Sequence, residues 1–340
     1  MKKLAYAVAI LGATGAVGEV MREILEEREF PVQELYLLAS ARSAGERLPF
    51  HGKKILVQDA ADFDWSKVDI GLFSAGAAAS EAHAPLAAAA GAIVIDNTSR
   101  FRYENDIPLV VPEVNPHRIA DYRSRGIIAN PNCSTIQMLL ALKPIADAVG
   151  IERVVVSTYQ AVSGAGRRAI EELGRQTAGI YRQQEIAPDV FAKRMAFNCL
   201  PQIDVFQENG YTKEEMKMVW ETRKILELPG IQLTATCVRV PVFYGHSESV
   251  NVVTREKISA AGVRALLEAA PGVTVMDGRG AGEWPTPLDA AGRDETFVGR
   301  IREDCSHERG INLWVVSDNI RKGAALNSIQ IAELLIRDYL

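Results

Sequence analysis

Tyr6-Ala7-Val8-Ala9-Ile10-Leu11 runs directly into Gly12-Ala13-Thr14-Gly15-Ala16-Val17-Gly18, after which Val20, Met21, Ile24 and Leu25 continue from Val17 at three- and four-residue spacings. An apolar run followed by helical periodicity reads as strand, tight turn and helix. Glycines at 12, 15 and 18 let such a turn close, let a pyrophosphate approach the backbone, and let the helix lie close on the strand. The helix N-terminus then attracts the phosphate charge. Thr14 adds a hydroxyl to that cradle. The first spacing departs from the G-x-G-x-x-G fingerprint, and small residues where a helix crosses a strand are the plain alternative.

Working outward, 35–39 reads as the next strand, 54–57 as an edge strand, 69–74 as a buried strand, 77–90 as a helix and 92–96 as a strand. Strands alternating with helices imply a parallel, doubly wound α/β sheet. Past residue 130 the pattern changes: 153–159, 233–240, 249–253, 296–301 and 312–317 are strand-like, with helices over 165–181 and 212–226. That mixture predicts an α+β domain on a largely antiparallel sheet, and the helix over 324–336 is expected to return to the first domain. The expected division is 1–130, 131–318 and 319–340. A chain of 340 residues exceeds what one core usually serves.

Bulk properties exclude several classes. A formal net charge of −5 offers no general basic field for nucleic acid or anionic lipid. Met1-Lys2-Lys3 leads into the strand-and-turn pattern, so the start reads as mature protein. The small-residue run 75–92 carries Glu81, His83 and Pro85 and falls short of a membrane span. Cys133, Cys199, Cys237 and Cys305 lie far apart with no C-x-x-C pair. A reducing, cytoplasmic setting without metal or disulfide scaffolding is expected.

The end of the second strand discriminates between nicotinamide cofactors. NAD wants a carboxylate there for the ribose hydroxyls, whereas NADP wants cationic or hydroxyl groups for its extra phosphate. The chain offers Ser40, Arg42 and Ser43, with no acid until Glu46. A solvated loop arginine is the alternative; with the glycine turn, the reading is NADP.

The densest chemical signal is Asn130-Pro131-Asn132-Cys133-Ser134-Thr135, immediately before a helix with Ile136, Leu139, Leu140 and Lys143 on one face. A thiolate in a helix's first turn is stabilised by free backbone N–H groups and the helix dipole, and is the nucleophile that acyl chemistry needs. The inert-core alternative, assigned to Cys199 and Cys237, is weaker for Cys133 in that position. In Arg239-Val240-Pro241-Val242-Phe243-Tyr244-Gly245-His246, the histidine is a base candidate with a near-neutral reference pKa, and the arginine fork fits a carboxylate.

Taken in order, the glycine turn, Ser40-Ala41-Arg42-Ser43-Ala44-Gly45, Asn132-Cys133, Gln160 with Ser163-Gly164-Ala165-Gly166, Arg239 to His246, and Ser317-Asp318-Asn319-Ile320-Arg321-Lys322-Gly323-Ala324 resemble bacterial aspartate-semialdehyde dehydrogenase over essentially the whole chain. The resemblance implies a catalytic domain like that of glyceraldehyde-3-phosphate dehydrogenase. It also implies reversible NADPH reduction of β-aspartyl phosphate to aspartate β-semialdehyde and inorganic phosphate, on the route to lysine, methionine and threonine, by a homodimer that needs no metal. By the same resemblance Cys133 is the nucleophile, His246 the acid/base that takes the thiol proton, and Gln160 orients the acyl group. Arg239 binds the substrate carboxylate, with Asn132 beside the nucleophile, and Glu214 and Lys217 meet the amino group and phosphate. A surface ion pair is the cheaper reading of that last spacing. Arg102 is the phosphate arginine, with Arg100 its rival, while Ser163, Gly164, Asn319 and Gly323 complete the nicotinamide pocket. An N-acetyl-glutamyl-phosphate reductase, needing no Glu214, is the neighbouring alternative. A nucleotide-sensing regulator or a thiol hydrolase would leave the thiol or the glycine turn unexplained.

Overall fold

The computed structural model describes residues 3–340. It divides into two compact units, one holding residues up to Asn132 together with Ala324–Leu340, the other Cys133–Gly323. The chain thus passes between units a few residues beyond the expected positions 130 and 318.

In the first unit, β1 (Tyr6–Leu11) leads through the glycine turn into α1 (Ala16–Glu27) and β2 (Val32–Ala39). A hairpin of β3 (Arg47–Phe50) and β4 (Lys53–Asp59) precedes β5 (Ile70–Phe73), α2 (Ala77–Ala89), β6 (Ile93–Asp96) and β7 (Ile127–Ala129). The sheet order is β3-β4-β2-β1-β5-β6-β7. All neighbours pair parallel except β3 with β4. Without β3, the parallel strands run 3-2-1-4-5-6, a doubly wound order that reverses direction between β1 and β5 and opens its ligand crevice there. The expected edge strand over 54–57 is therefore internal, and β3 caps the edge. The C-terminal helix Leu326–Asp338 packs Leu326, Ile329, Ile331 and Leu335 into this unit's core with Ile24 and Leu25 of α1.

The second unit begins with α3 (Cys133–Val149), followed by β8 (Ile151–Gln160), α4 (Arg167–Tyr181), α5 (Lys213–Ile225), β9 (Gln232–Arg239) and β10 (His246–Thr254). Then come α6 (Ala260–Glu268), β11 (Val273–Val275), β12 (Thr296–Glu303) and β13 (Gly310–Ser317). The six strands lie in the order β11-β12-β13-β10-β8-β9. Pairs β10–β13, β10–β8 and β12–β13 are antiparallel, but β8–β9 and β11–β12 are parallel, so the sheet is mixed instead of largely antiparallel. This arrangement sets the C-terminal ends of β8, β9 and β13 beside the start of β10. Gln160 pairs with Arg239, and His246 with Ser317, along one sheet edge.

Candidate active site

Within the first unit, the crevice at the strand reversal is a cavity of about 580 Å³ lined by Gly12, Thr14, Gly15, Ser40, Arg42 and Ser43, among others. Gly12 and Ala13 donate backbone hydrogen bonds to Leu38 O, and Gly15 N closes the turn on Gly12 O at 3.0 Å. Gly12 has φ +93°, and a Cβ there would stand 2.6 Å from Ser74 O. No other residue fits, and the open backbone is what a pyrophosphate needs. Gly18 serves packing instead: a Cβ would meet Gly12 O at 2.3 Å. Val17 likewise packs against the unit's core. Neither is among the residues lining the cavity. Arg42 and Ser40 are exposed on the turn after β2, which Ser43 N closes on Ser40 O at 2.9 Å. The residue set fits NADP: glycines at the turn, hydroxyls, and one arginine at the β2 end. His83 and Asp59, which also line this cavity, were not singled out by sequence because neither stands in the glycine turn or at the β2 end.

Arg102 is buried in the same unit, its Nη2 donating to Asn97 O at 2.7 Å. Arg100 is more exposed and engages Glu81 at 3.1 Å and Glu104 at 3.0 Å. The two arginines are therefore not equivalent: Arg100 is committed to surface carboxylates. Asn132 is buried at the end of the unit.

In the second unit Cys133 is the first residue of α3, and Ser134 to Leu142 are all buried. A helix buried on every side shows no apolar stripe, which is why its expected face misdescribes it. Gly323 presses on the nucleophile: a Cβ there would lie 2.7 Å from Cys133 Cβ.

The Ala161 peptide organises the next two groups. Its carbonyl accepts from Arg239 Nη1 at 2.7 Å, and its N–H donates to His246 Nδ1 at 3.0 Å. Gly164 lies against both side chains; a Cβ would come 2.9 Å from Arg239 Nη1 and 3.2 Å from His246 Nε2. Asn319 accepts from Gly245 N at 3.0 Å and donates to Ser163 Oγ at 3.0 Å, fixing the turn before His246. Arg239 is buried, which lowers its pKa, against the opposing attraction of Glu214 and Cys133.

His246 is fully buried. Burial first, then the Arg239 charge, push its pKa down to about 3. With Nδ1 accepting from Ala161, the neutral ring carries its hydrogen on Nε2. Nε2 has no hydrogen-bond partner among the described residues. This differs from a base awaiting the thiol proton, which would need a bare Nε2.

The remaining groups form a chain. Gln160 Oε1 accepts from Thr158 Oγ1 at 3.2 Å, and its Nε2 donates to Glu214 Oε1 at 3.1 Å. Glu214 Oε2 accepts from Lys217 Nζ at 2.8 Å. Both belong to the first turns of α5, whose start is fixed by a capping box: Thr212 N donates to Glu215 Oε2 at 2.7 Å, and Glu215 N to Thr212 Oγ1 at 3.3 Å. Glu214 is buried and the Lys217 side chain only 12% exposed, unlike the surface ion pair that spacing alone would allow. Sequence reading passed over Asp204, Ala161 and Glu248. Asp204 lies in an irregular loop, Ala161 acts through its backbone, and Glu248 stands in a polar-looking strand segment.

Comparison with known proteins gives the same outline. The chain matches the model described as "Semialdehyde dehydrogenase, NAD binding domain" over residues 7–122, and "Semialdehyde dehydrogenase, dimerisation domain" over 142–322. It is 62% identical over 335 residues to "Aspartate-semialdehyde dehydrogenase 2" of Vibrio cholerae, covering 98% of each chain. It is 52% identical to the Bacillus subtilis aspartate-semialdehyde dehydrogenase, covering 96% of each. The crystal structure of aspartate semialdehyde dehydrogenase II of Vibrio cholerae complexed with ASA superposes with a TM-score of 0.98 at 60% identity, over 99% of this chain and 100% of that one. The Candida albicans enzyme with NADP gives 0.75 at 27% identity, over 97% and 98%.

Proposed function

The chain belongs to the aspartate-semialdehyde dehydrogenase family, and from that premise we propose the part each residue plays. The protein is an NADP-dependent, phosphorylating aldehyde dehydrogenase, interconverting L-aspartate 4-semialdehyde, phosphate and NADP with L-4-aspartyl phosphate and NADPH. The observation that carries the residue assignment is the grouping around Ala161. One peptide aligns Arg239 and His246, while Arg239 lies within electrostatic reach of Cys133.

In the reducing direction, the Cys133 thiolate forms a C–S bond to the β-carbonyl and the C–O bond to phosphate breaks. Arg239 and the N-terminal amides of α3 hold the thiolate charge. The departing group takes up one proton to leave as hydrogen phosphate, the single proton of the overall equation. Lys217 and Arg102 stabilise its charge, with Arg102 chosen over Arg100 because its guanidinium is buried. When bound, NADPH supplies the hydride; the Gly12–Gly15 turn, Thr14, Ser40, Arg42 and Ser43 hold it. The hemithioacetal oxyanion that results on Cys133 takes a hydrogen bond from His246 Nε2–H. Collapse of the C–S bond releases the aldehyde and restores the thiolate without protonating sulfur. His246 therefore works as a donor in its resting tautomer, since accepting a proton would set N–H against N–H at Ala161. Arg239 receives the substrate carboxylate as a fork, Glu214 the ammonium, and Gln160 keeps Glu214 oriented.

A homodimer is proposed through the open face of the second unit's sheet, where Tyr159 is 37% exposed and its ring lies 5.6 Å from that of Trp314. No helix among the described residues is long and apolar enough to cross a membrane. Cys237 is buried but Cys199 is exposed, which overturns its assignment to the core, and the exposed thiols at Cys199 and Cys305 fit a reducing cytoplasmic setting.

The test is oxidation of L-aspartate β-semialdehyde with NADP. NADPH formation should require inorganic phosphate, and Cys133→Ser should abolish it while retaining NADPH binding. Phosphate-independent turnover, or near-parental activity of the serine variant, would refute the thioester. Efficient use of N-acetylglutamate semialdehyde in place of the aspartate compound would overturn the substrate assignment.

A further inference from the structure

Lys217 cannot serve phosphate and neutralise Glu214 at once, and the structure holds a third group that bears on this conflict. Asp204 Oδ2 lies 2.9 Å from Lys217 Nζ, which Glu214 Oε2 also meets at 2.8 Å. The lysine side chain is 12% exposed, Glu214 7% and Asp204 31%. Burial would lower the lysine, but Glu214 and Asp204 together outweigh it and hold Lys217 up to about 12. Burial likewise opposes ionisation of Asp204, and the Lys217 contact overcomes it, keeping Asp204 below its ordinary value. One ammonium is thus shared by two carboxylates.

Asp204 is placed for this by its own backbone. It adopts φ +69°, and its Oδ1 accepts from Val205 N at 2.9 Å, which turns the other oxygen toward Lys217. It also lines a cavity of about 560 Å³ that Arg239 lines too. The carboxylate therefore stands beside the lysine and on the cavity shared with the substrate-carboxylate arginine.

We infer that Asp204 is a positioning residue that takes Lys217 over from Glu214, so that Glu214 can receive the substrate's α-ammonium while the lysine stays in place for phosphate. The inference rests on the assignment of Glu214 to ammonium and Lys217 to phosphate. An arriving ammonium competes with Lys217 for one Glu214 oxygen. With Asp204 present, the displaced lysine keeps a carboxylate partner at hydrogen-bond distance. Without that carboxylate, displacement strands a buried cation, and the cost falls on ligands that carry the ammonium. Ligands lacking the amino group do not displace Lys217 and are spared.

The test measures binding of L-homoserine, whose alcohol cannot react with a thiol, and of 4-hydroxybutanoate, the same chain without the amino group. Calorimetry on the full enzyme gives the affinity ratio of the two. Asp204→Asn is the variant, since asparagine tolerates left-handed backbone well. The wild type should prefer homoserine, and the variant should lose about fivefold or more of that preference. A merely structural role would weaken both ligands alike and leave the ratio unchanged, which overturns the inference. A second measurement needs no variant: in a crystal structure with homoserine, Lys217 Nζ should remain on Asp204 and leave Glu214. A lysine still bridging both carboxylates would also overturn it. If the wild type showed no preference for the amino compound, the assignment of Glu214 itself would fall.

Discussion

Replacing His246 by asparagine tests whether the imidazole is buried as a neutral ring. The asparagine Oδ1 can stand where Nδ1 accepts from Ala161 N, so the local hydrogen bond is retained. The wild-type ring has a folded-state pKa near 3, against 6.5 when free. Because the folded value is depressed, the stabilisation is fully present above pH 6.5 and is lost as pH falls toward 3. Linkage gives a loss of about 2 kcal/mol between pH 7 and pH 5, and about 4 kcal/mol in all by pH 3. The variant carries no such titration. Its deficit at pH 7, from lost packing, should therefore shrink by about 2 kcal/mol at pH 5. Urea unfolding followed by tryptophan fluorescence at half-unit pH steps measures this, with other titrating groups common to both proteins. Parallel stability profiles from pH 7 to pH 5 would show that the ring is not held neutral, and the donor role at Nε2 would lose its basis.

Two other substitutions probe the separate units. Arg42→Ala should raise KM for NADP by about tenfold to hundredfold, the worth of hydrogen bonds to a charged group, and leave KM for NAD nearly unchanged. The difference should narrow at high salt, and equal losses with both cofactors would remove Arg42 from the 2′-phosphate site. Gly323→Ala drives a methyl to 2.7 Å from Cys133 Cβ, so the thiol must shift. Turnover should drop by about 100-fold, with circular dichroism and NADPH binding retained; wild-type kcat would show that the nucleophile's placement tolerates the intrusion.

The legible parts of the sequence were those whose signal is local. Tyr6–Leu11, the glycine turn and α1 follow from an apolar run, special backbone demands and a helical stripe, all within about 20 residues. Arg47–Phe50 escaped because Pro49 and two exposed positions do not look like a strand; it exists as the antiparallel partner of β4. Ile127–Ala129 is only three residues long and is defined by its neighbour β6. The parallel pairing of β8 with β9 depends on a connection through α4 and α5 that no residue pattern within either strand encodes. At the site, Cys133 announced itself by its helix-start context, whereas Gln160, Glu214 and Lys217 drew their roles from resemblance. Asp204 could be found only in three dimensions, because it lies 13 residues from Lys217 across an irregular loop.

The second unit buries an acid on β10 in a setting that favours its neutral form. Glu248, two residues beyond His246 on β10, is fully buried, and burial raises its pKa well above 4.5, more than its contact with Gln137 lowers it. Among the described residues neither Glu248 oxygen has a hydrogen-bond partner, and Gln137 Oε1 also lacks one. Protonation removes the charge of Glu248 from this interior and gives it a hydrogen to donate. Gln137 Nε2 in turn donates to His246 O at 3.3 Å, so neutral groups join α3 to β10 beneath the imidazole. An ionised Glu248 would instead place an unpaired charge in a low-dielectric interior and draw His246 toward its cationic form. Keeping the acid protonated leaves the Arg239 charge, which lies within electrostatic reach of Cys133, undiminished by Glu248. The thiolate is thereby spared an opposing charge at Glu248, while the charge of Glu214 is met by Lys217.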